Sequence, residues 1–301
     1  MKLPVRVPRP GFPFGAPTTP STVSPAPEKE RYGAEYETDW ARETPARFVR
    51  FFVVEGPMRA AVRVLAQPSR RGTDRLSAIE GPVIFAANHH SHLDTPLLIT
   101  SIPEPWRHRL VVGAASDYFF TNRWTSAASA LAMGAFPIER TKVTRKSADQ
   151  AAELIGDGWS LLIFPEGGRS PDGWGQGHKG GAAYLAGRTG VPVVPVHLDG
   201  TNRIFAKGDK RPRPGRTTVT FGHALRPEAG ESSNRFAARI EAAVSVLADE
   251  ARTDRWSARR RAAAGATPSL TGPETTAWRR AWALGDRRSN RRRQRPRWPE
   301  L

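Results

Sequence analysis

The chain has 301 residues, an apolar fraction of 39% and a formal net charge of +17, a length that suits one large or two small domains. It contains no cysteine, so disulfides, thiolate metal sites and a cysteine nucleophile are excluded. No uncharged apolar stretch of the length that a bilayer requires occurs in the sequence, which argues against a transmembrane helix.

The two ends of the chain differ in composition from the middle. Residues 1–45 are rich in proline and then in mixed charges, which predicts a disordered arm and not a signal peptide. Residues 251–301 carry fourteen arginines against four acidic residues, so most of the excess positive charge lies in this basic tail. We therefore expect one folded domain over residues 46–250, flanked by two flexible ends.

Residues 46–66 form an amphipathic segment that begins this domain. Phe48, Phe51 and Phe52 precede a break at Gly56-Pro57. The arginines of the segment are Arg47, Arg50, Arg59 and Arg63. Cationic helices with aromatic side chains are typical of the membrane interface. The alternative is a helix packed on the domain core, and the segment alone does not decide between the two.

Short apolar runs alternate with helical stretches from residue 82 to about residue 250. The runs that predict strands are Val83–Ala87, Leu110–Gly113, Leu161–Phe164, Val193–His197 and Thr217–Phe221. Helices are predicted between them at about 96–101, 123–132, 143–155, 179–189 and 232–252. This alternation is typical of an α/β domain with a central, largely parallel or mixed sheet flanked by helices.

The densest cluster of reactive side chains runs from Asn88 to Asp94, after a predicted strand and before a helix start at Thr95-Pro96. Such strand-to-helix turns are where α/β proteins gather functional groups. His89 and Asp94 are spaced so that a tight turn brings the carboxylate to one imidazole nitrogen, leaving the other as a base for a hydroxyl proton. No nearby serine has the nucleophile-elbow pattern, so direct transfer is the simpler scheme.

Four blocks, in order along the chain, carry a resemblance to a known family. Asn88-His89-x-Ser91-x-x-Asp94 resembles the His-x4-Asp motif of the glycerolipid acyltransferases, in particular the lysophosphatidic acid acyltransferase (PlsC-like) branch. The second, third and fourth blocks of that family are resembled by Gly134–Arg140, Phe164–Ser170 and Val191–Val196. The resemblance covers about residues 45–250 and neither end.

The resemblance implies a single glycerol-phosphate-acyltransferase-like domain and a reaction in phospholipid biosynthesis. An acyl group would pass from acyl-CoA or acyl carrier protein, as co-substrate, to a hydroxyl of lysophosphatidic acid. His89 and Asp94 would be the catalytic pair, with no further cofactor and no metal. Another lysophospholipid or lipid acceptor is the alternative, since Gly168 stands where the family commonly has threonine. The fourth block would be an apolar strand near the acyl chain.

Four residues are candidates for substrate binding: Arg140, Glu166, Gly167 and Arg169. The resemblance makes Arg140 a phosphate-binding residue, and arginine offers planar, bidentate contact to phosphate oxygens. Arg140 follows one predicted strand and Arg169 lies in a turn after another, so both are expected at one edge of a cleft. Gly167 would let backbone N–H groups approach an anion, and Glu166 would orient the loop or touch substrate.

The positive charge and the amphipathic segment together predict attachment to anionic membrane lipids, peripheral or monotopic, at the cytoplasmic face. Arginines with tryptophans in the tail also suit nucleic acid, but no nucleic-acid-binding fold accompanies them, so we do not expect nucleic acid as the primary partner. A remote alternative is a metallo-hydrolase. His90-x-His92-x-Asp94 resembles part of the metallo-β-lactamase signature, with Thr95 in place of its last histidine.

Overall fold

The structure is a computed structural model, and it describes residues 33–139, 145–170, 174–206, 209 and 211–271. A seven-stranded sheet forms its centre, in the order β1-β7-β6-β2-β5-β3-β4. The strands are β1 (Pro68–Arg71), β2 (Ile84–Ala87), β3 (Leu110–Ala115), β4 (Ala135–Ile138), β5 (Ser160–Ile163), β6 (Val193–Asp199) and β7 (Thr217–Phe221). Neighbouring strands are parallel except for β6 and β7, which are antiparallel.

Helices cover both faces of this sheet. They are α1 (Thr44–Val53), α2 (Arg59–Ala66), α3 (Asp94–Ser101), α4 (Ser116–Phe119), α5 (Arg123–Met133), α6 (Arg145–Gly156), α7 (Gly181–Thr189), α8 (Thr201–Ile204), α9 (Ser233–Arg252) and α10 (Arg255–Ala263). The mixed α/β fold with a central sheet flanked by helices confirms the fold class predicted from the sequence. No helix in the described part of the chain has the length and apolar character needed to cross a bilayer.

The alternation of side chains along β2 shows how the two faces are filled. Phe85 and Ala87 pack into a core with α2 and α3, whereas Ile84 and Ala86 pack on the other face with α6, α7 and α9. All four are fully buried, because a central parallel strand is covered on both sides.

Residues 44–66 form one continuous helical segment, although the sequence predicted a break at Gly56-Pro57. A π-helical turn over Val54–Met58 joins α1 to α2. The N–H of Arg59 bonds to the carbonyl of Val54, five residues back. Proline removes one backbone donor and disturbs the regular helical ladder, and the wider turn lets the chain continue as helix across it.

Of the two interpretations left open for residues 46–66, the position of Arg50 agrees with packing on the domain core. Its side chain is buried, and its Nε and one terminal nitrogen donate to the carbonyls of Leu131 and Ala130, at 2.8 and 3.1 Å. These carbonyls lie in the last turn of α5, where the helix dipole favours positive charge. Burial lowers the pKa of Arg50 to about 10, so it remains charged.

The folded part of the chain exceeds the predicted range of 46–250 at both ends. Residues 33–42 contain two short 3₁₀ helices, and the Gly33 N–H bonds to the Phe120 carbonyl at 2.8 Å. At the other end, Arg261 of α10 donates twice to the Asp249 carboxylate at 2.7 Å, and the Gly175 N–H bonds to the Leu270 carbonyl at 2.8 Å. The predicted boundary at residue 250 therefore falls inside α9.

Candidate active site

The turn between β2 and α3 is organised around the carboxylate of Asp94. This residue opens α3 and is fully buried. Its Oδ2 atom accepts hydrogen bonds from the backbone N–H groups of His90 and Ser91, at 2.6 and 2.8 Å. The same oxygen lies 2.9 Å from Nδ1 of His89, which is the contact that the His-x4-Asp spacing predicts.

The environment of this turn favours an ionised Asp94 carboxylate beside His89. Burial disfavours the charged carboxylate of Asp94, but hydrogen bonds from His89 and from the backbone outweigh it and hold its pKa below the usual value. An ionised Asp94 accepts the proton on Nδ1 of His89. The other ring nitrogen, Nε2, is then left with its lone pair available to accept a proton.

Flanking contacts hold the imidazole and its backbone in place. The ring of Phe164 stacks on that of His89, with ring centroids 4.1 Å apart. The N–H of His89 donates to Oε1 of Glu166 at 2.8 Å, and its carbonyl accepts from the N–H of Ser170 at 2.9 Å. The preceding residue, Asn88, fixes the same turn to β6. Its side-chain amide donates to the carbonyl of Leu198 and accepts from the N–H of Leu198.

Glu166 lies beneath the loop and is almost fully buried. Its second carboxylate oxygen accepts from the N–H of Gln176 at 2.9 Å, so one side chain joins the turn after β2 to both halves of the loop after β5. Burial raises the pKa of Glu166 to about 7, although the two backbone N–H donors oppose the shift. The sequence suggested that Glu166 either orients the loop or touches substrate, and these contacts favour the first role.

A cavity of about 600 Å³ opens beside His89. It lies at the carboxyl ends of β2, β3, β4 and β5, the edge at which ligands bind in open α/β sheets. Its polar lining includes His89, His92, Glu139, Arg169 and Lys179. Its apolar lining includes Val112, Met133, Ile138, Ile163 and Phe164. The cavity therefore offers a charged region near the imidazole and an apolar region along the strands.

Arg169 and Gly167 both line this cavity. The sequence predicted Arg169 at the edge of a cleft, together with Arg140. The guanidinium of Arg169 lies over the ring of Tyr118, 5.9 Å from its centroid. Tyr118 also stacks on His92, whose pKa is lowered by burial and then by the positive charge of Arg169. Gly167 has a left-handed conformation with φ of 72°, which glycine adopts without strain.

Two further predictions have different outcomes. Arg140 lies outside the residues that the structure describes, although its neighbour Glu139 lines the cavity. The fourth block lies in β6 and the turn before it. None of the described residues 191–199 lines the cavity beside His89, and the block is a core strand. Its side chains from Val193 to Leu198 are buried between the helices instead.

Tyr118, Gln176 and Lys179 line the cavity, although the sequence did not single them out as site residues. A Cβ atom placed on Gly167 would lie 2.6 Å from Nζ of Lys179. The lysine therefore reaches under the loop that carries Arg169. The Lys179-Gly180 pair was the available signal, because a lysine just before a helix that follows a glycine-rich loop is well placed for an anion.

The metallo-hydrolase alternative is not supported by the geometry of its residues. Ligand atoms of His90, His92 and Asp94 do not gather within 4.8 Å of one another. In the described ranges, the one such group of three comprises Glu55, Glu104 and His108, and Arg107 already forms ion pairs with both glutamates.

Comparison with known proteins agrees with this geometry. Residues 67–199 match the model of the Acyltransferase family. This chain carries an acyltransferase-family domain. The matched range contains His89, Asp94, Glu166, Gly167 and Arg169, so every candidate site residue that the structure describes falls within the acyltransferase domain.

Named relatives support the same assignment. A 1-acyl-sn-glycerol-3-phosphate acyltransferase of Chlamydomonas reinhardtii is 30% identical over 177 residues, which are 58% of this chain and 52% of the relative. The chloroplastic enzyme BAT2 of Brassica napus, with the same activity in its name, is 33% identical over 46% of this chain and 39% of its own length. The chain thus spans about half or less of these relatives.

A solved structure shares the fold. The crystal structure of the 1-acyl-sn-glycerophosphate (LPA) acyltransferase PlsC from Thermotoga maritima aligns over 70% of this chain and 83% of its own, with a TM-score of 0.58 and 23% identity. At this identity the likeness shows the fold of the acyltransferase domain, and the chemistry rests on the residues themselves.

Proposed function

We propose that this protein transfers a fatty acyl group from an acyl thioester, acyl-CoA or acyl carrier protein, to a hydroxyl of lysophosphatidic acid. The observation that carries the proposal is the His89–Asp94 pair, at 2.9 Å, beside a cavity with one cationic and one apolar region. The names of its relatives point to the same acceptor.

In the proposed mechanism, Nε2 of His89 takes the proton of the acceptor hydroxyl as its oxygen attacks the thioester carbonyl. Asp94 holds the imidazole in the required tautomer and stabilises the imidazolium that forms. Collapse of the tetrahedral intermediate forms the ester and breaks the carbon–sulfur bond. The thiolate then takes the proton from His89, so the pair returns to its starting state without a covalent enzyme intermediate.

Arg169 and Lys179, together with Arg140, would hold the phosphate of the acceptor, while the apolar strands would hold an acyl chain. Guanidinium groups suit this role because they bind phosphate oxygens in pairs. Gly168 bears on the choice of acceptor, since it replaces the threonine that is common in the family. Another lysophospholipid is therefore the second candidate acceptor.

We also propose peripheral attachment to a membrane, at its cytoplasmic face, through α1. Phe48, Phe51 and Phe52 are 65, 43 and 57% exposed, and their rings contact one another. Three adjacent exposed phenylalanines form an apolar patch that the domain core does not cover, which favours the interfacial interpretation over core packing.

The test is incubation of the purified protein with labelled acyl-CoA or acyl carrier protein and a panel of lysolipids, with products identified by mass spectrometry. We expect phosphatidic acid as the main product, formed by wild type and not by His89→Ala. A product from a different lysolipid would identify the second candidate acceptor, and no acyl ester from any of them would contradict the proposed reaction.

A further inference from the structure

A second cavity, of about 280 Å³, lies at the junction of α2, β1 and the end of α3. We call it the arginine cavity. It is lined by Arg59, Val62, Arg63, Gln67, Pro68, Arg70 and Thr100. It shares no lining residue with the cavity beside His89, so the reaction proposed above does not account for it.

The fold brings the three arginines together from two elements. Arg59 and Arg63 are one helical turn apart on α2, beside Val62 and Ala66, whose burial fixes this side of the helix against the core. Gln67 then adopts a left-handed conformation with φ of 39°, and the chain turns directly into β1. Arg70 of that strand donates to the Thr100 carbonyl at 3.2 Å.

Positive charge around the arginine cavity exceeds negative charge. Glu55 pairs with Arg59 at 2.7 Å and with Arg107 at 3.1 Å, and Glu104 also pairs with Arg107 at 3.2 Å. These two carboxylates therefore face the four guanidiniums of Arg59, Arg63, Arg70 and Arg107. Within the described ranges, no carboxylate forms an ion pair with Arg63 or Arg70. The pKa of Arg70 is lowered by burial and then by the positive charges of Arg59, Arg107 and Arg63. The like charges are therefore close enough to repel one another.

The arginine cavity lies close to the exposed phenylalanine patch. The ring of Phe51 contacts that of His108, with centroids 4.8 Å apart, and Nε2 of His108 lies 3.3 Å from the carboxylate of Glu55. Glu55 in turn pairs with Arg59 at the cavity wall. A membrane whose acyl chains contact the phenylalanine patch would thus bring its headgroups near the arginines.

We propose that the arginine cavity binds the phosphate group of an anionic phospholipid while the phenylalanine patch lies in the same membrane. A phosphate would relieve the repulsion among the guanidiniums, and their planar donors match its oxygens. Inorganic phosphate has the same chemistry, so the experiment must separate the two sources. The site is distinct from the proposed acceptor site and does not depend on catalysis.

The test is co-sedimentation of the full chain with phosphatidylcholine vesicles, with and without phosphatidylglycerol. Phosphatidylglycerol is chosen because its phosphodiester is not the monoester of the proposed acceptor. Replacing Arg63→Gln and Arg70→Gln together should weaken partitioning to the anionic vesicles about 25-fold, because each cation near an anionic surface contributes about fivefold. Partitioning to neutral vesicles should be unchanged.

A matched control removes the same charge elsewhere. Arg235 of α9 and Arg260 of α10 are exposed. Helix α9 packs on the sheet face opposite α2, and α10 packs against α9. The double change to glutamine at these two positions should leave anionic binding within about twofold of wild type, because these side chains are far from the patch. An equal loss in both double variants would overturn the proposal in favour of diffuse attraction.

A charge-conserving variant tests the geometry of the site. Arg63→Lys with Arg70→Lys keeps both charges but removes the bidentate guanidinium groups. A binding cavity predicts an intermediate loss of anionic vesicle binding, whereas a featureless cationic surface predicts none. Wild-type binding by this lysine variant would therefore also overturn the proposal.

Calorimetry with inorganic phosphate separates the two sources of ligand. We expect weak heat signals for free phosphate and strong discrimination between the two vesicle types. Tight binding of free phosphate by wild type only, with vesicle binding unchanged in the glutamine variant, would assign the cavity to free phosphate and overturn the headgroup proposal. Acyl transfer in detergent should be the same in all variants, so a failure of the proposed function would appear separately.

Discussion

The proposed base depends on two side chains that act as one unit. Replacing His89→Ala should lower kcat by about 10²–10⁴-fold, the usual contribution of a positioned base. Asp94→Ala should cause a comparable loss, because His89 then loses the partner that fixes its tautomer. Double replacement should be little worse than either single change.

Steady-state kinetics with circular dichroism as the folding control checks this prediction. His90→Ala is a suitable comparison, since it keeps the backbone N–H of His90 that donates to the Asp94 carboxylate. Near-wild-type turnover by a folded His89→Ala protein would show that another group accepts the proton.

The buried carboxyl of Glu166 gives the stability of the protein a particular pH dependence. Its pKa is raised from 4.5 to about 7 on folding, so the native state holds a proton that the unfolded chain has released. The free energy of unfolding should therefore decrease as the pH rises between these values, by up to about 3 kcal/mol. Glu166→Gln cannot lose a proton and should remove this part of the slope.

Urea unfolding of both proteins across this pH range measures the difference. The stability of wild type relative to the variant should fall steadily and then level off above pH 7. Parallel curves would mean that burial does not shift the pKa of this carboxyl.

Two arginines allow the proposed acceptor site to be tested: Arg169 in the loop after β5, and Arg140 after β4. Arg169→Ala, and likewise Arg140→Ala, should raise KM for phosphate-bearing acceptors and change KM for the donor less, because each loses a bidentate phosphate contact. Equal changes for donor and acceptor would argue against a dedicated phosphate role.

Gly168 in the same loop can be replaced by threonine, the residue that is common in the family. A Cβ atom placed on Gly168 would have no other atom within 4 Å, so Gly168→Thr should fold normally. We expect a modest change in acceptor preference, measured on the same panel of lysolipids.

At the level of secondary-structure elements, α1 carries the prediction about the membrane. Replacing Phe48, Phe51 and Phe52 with serine should weaken binding to neutral vesicles and at high salt, because apolar burial is insensitive to ionic strength. Vesicle flotation across a salt series measures this, with thermal unfolding as the control. Since the side chains are exposed, the variant should keep the stability of wild type; if it unfolds, the helix face is core packing.

Secondary-structure elements with a hydrophobic pattern were predictable from the sequence, and those without one were not. The strand at Thr217–Phe221 and the helix at Ser233–Arg252 agree with their predictions to within a residue. By contrast, β1 has the sequence Pro-Ser-Arg-Arg and lies at an edge of the sheet. An exposed edge strand carries no apolar alternation, so only its partner β7 reveals it.

The candidate site shows a similar division. The short spacing of His89 and Asp94 made their contact predictable, because one tight turn decides it. The cavity around Lys179 is lined by strands distant in the sequence, and Arg70 meets Thr100 only once β1 lies beside α3, so neither cavity could be predicted. The sequence could not decide whether Arg50 faces a membrane or the core, because its pattern does not show that a guanidinium caps a neighbouring helix.

At the level of the whole molecule, the basic tail must be separated from the folded part before its charge is tested. Removing residues 251–301 would delete the Arg261–Asp249 ion pair and the bond between Gly175 and Leu270, and should lower stability. Removing only residues 272–301, with nine arginines against three acidic residues, leaves every described contact in place.

The shorter deletion should weaken binding to anionic vesicles mainly at low salt, since screening suppresses interactions between exposed charges. Transfer to soluble acceptors should be unaffected. Flotation and an activity assay on the same preparation check both expectations, and undiminished binding at low salt would show that the tail does not attach the protein to lipid.

The hydrogen bond from the N–H of His89 to Glu166 spans 77 positions of the chain, and Asn88 is tied to Leu198 across 110. The His89–Asp94 contact is local, but these two supporting bonds form only after β2 is enclosed between β5 and β6. Contacts of such long range form late and slowly during folding. The proposed base would therefore gain these supporting contacts only as the central sheet closes, so incomplete chains on the ribosome would lack them.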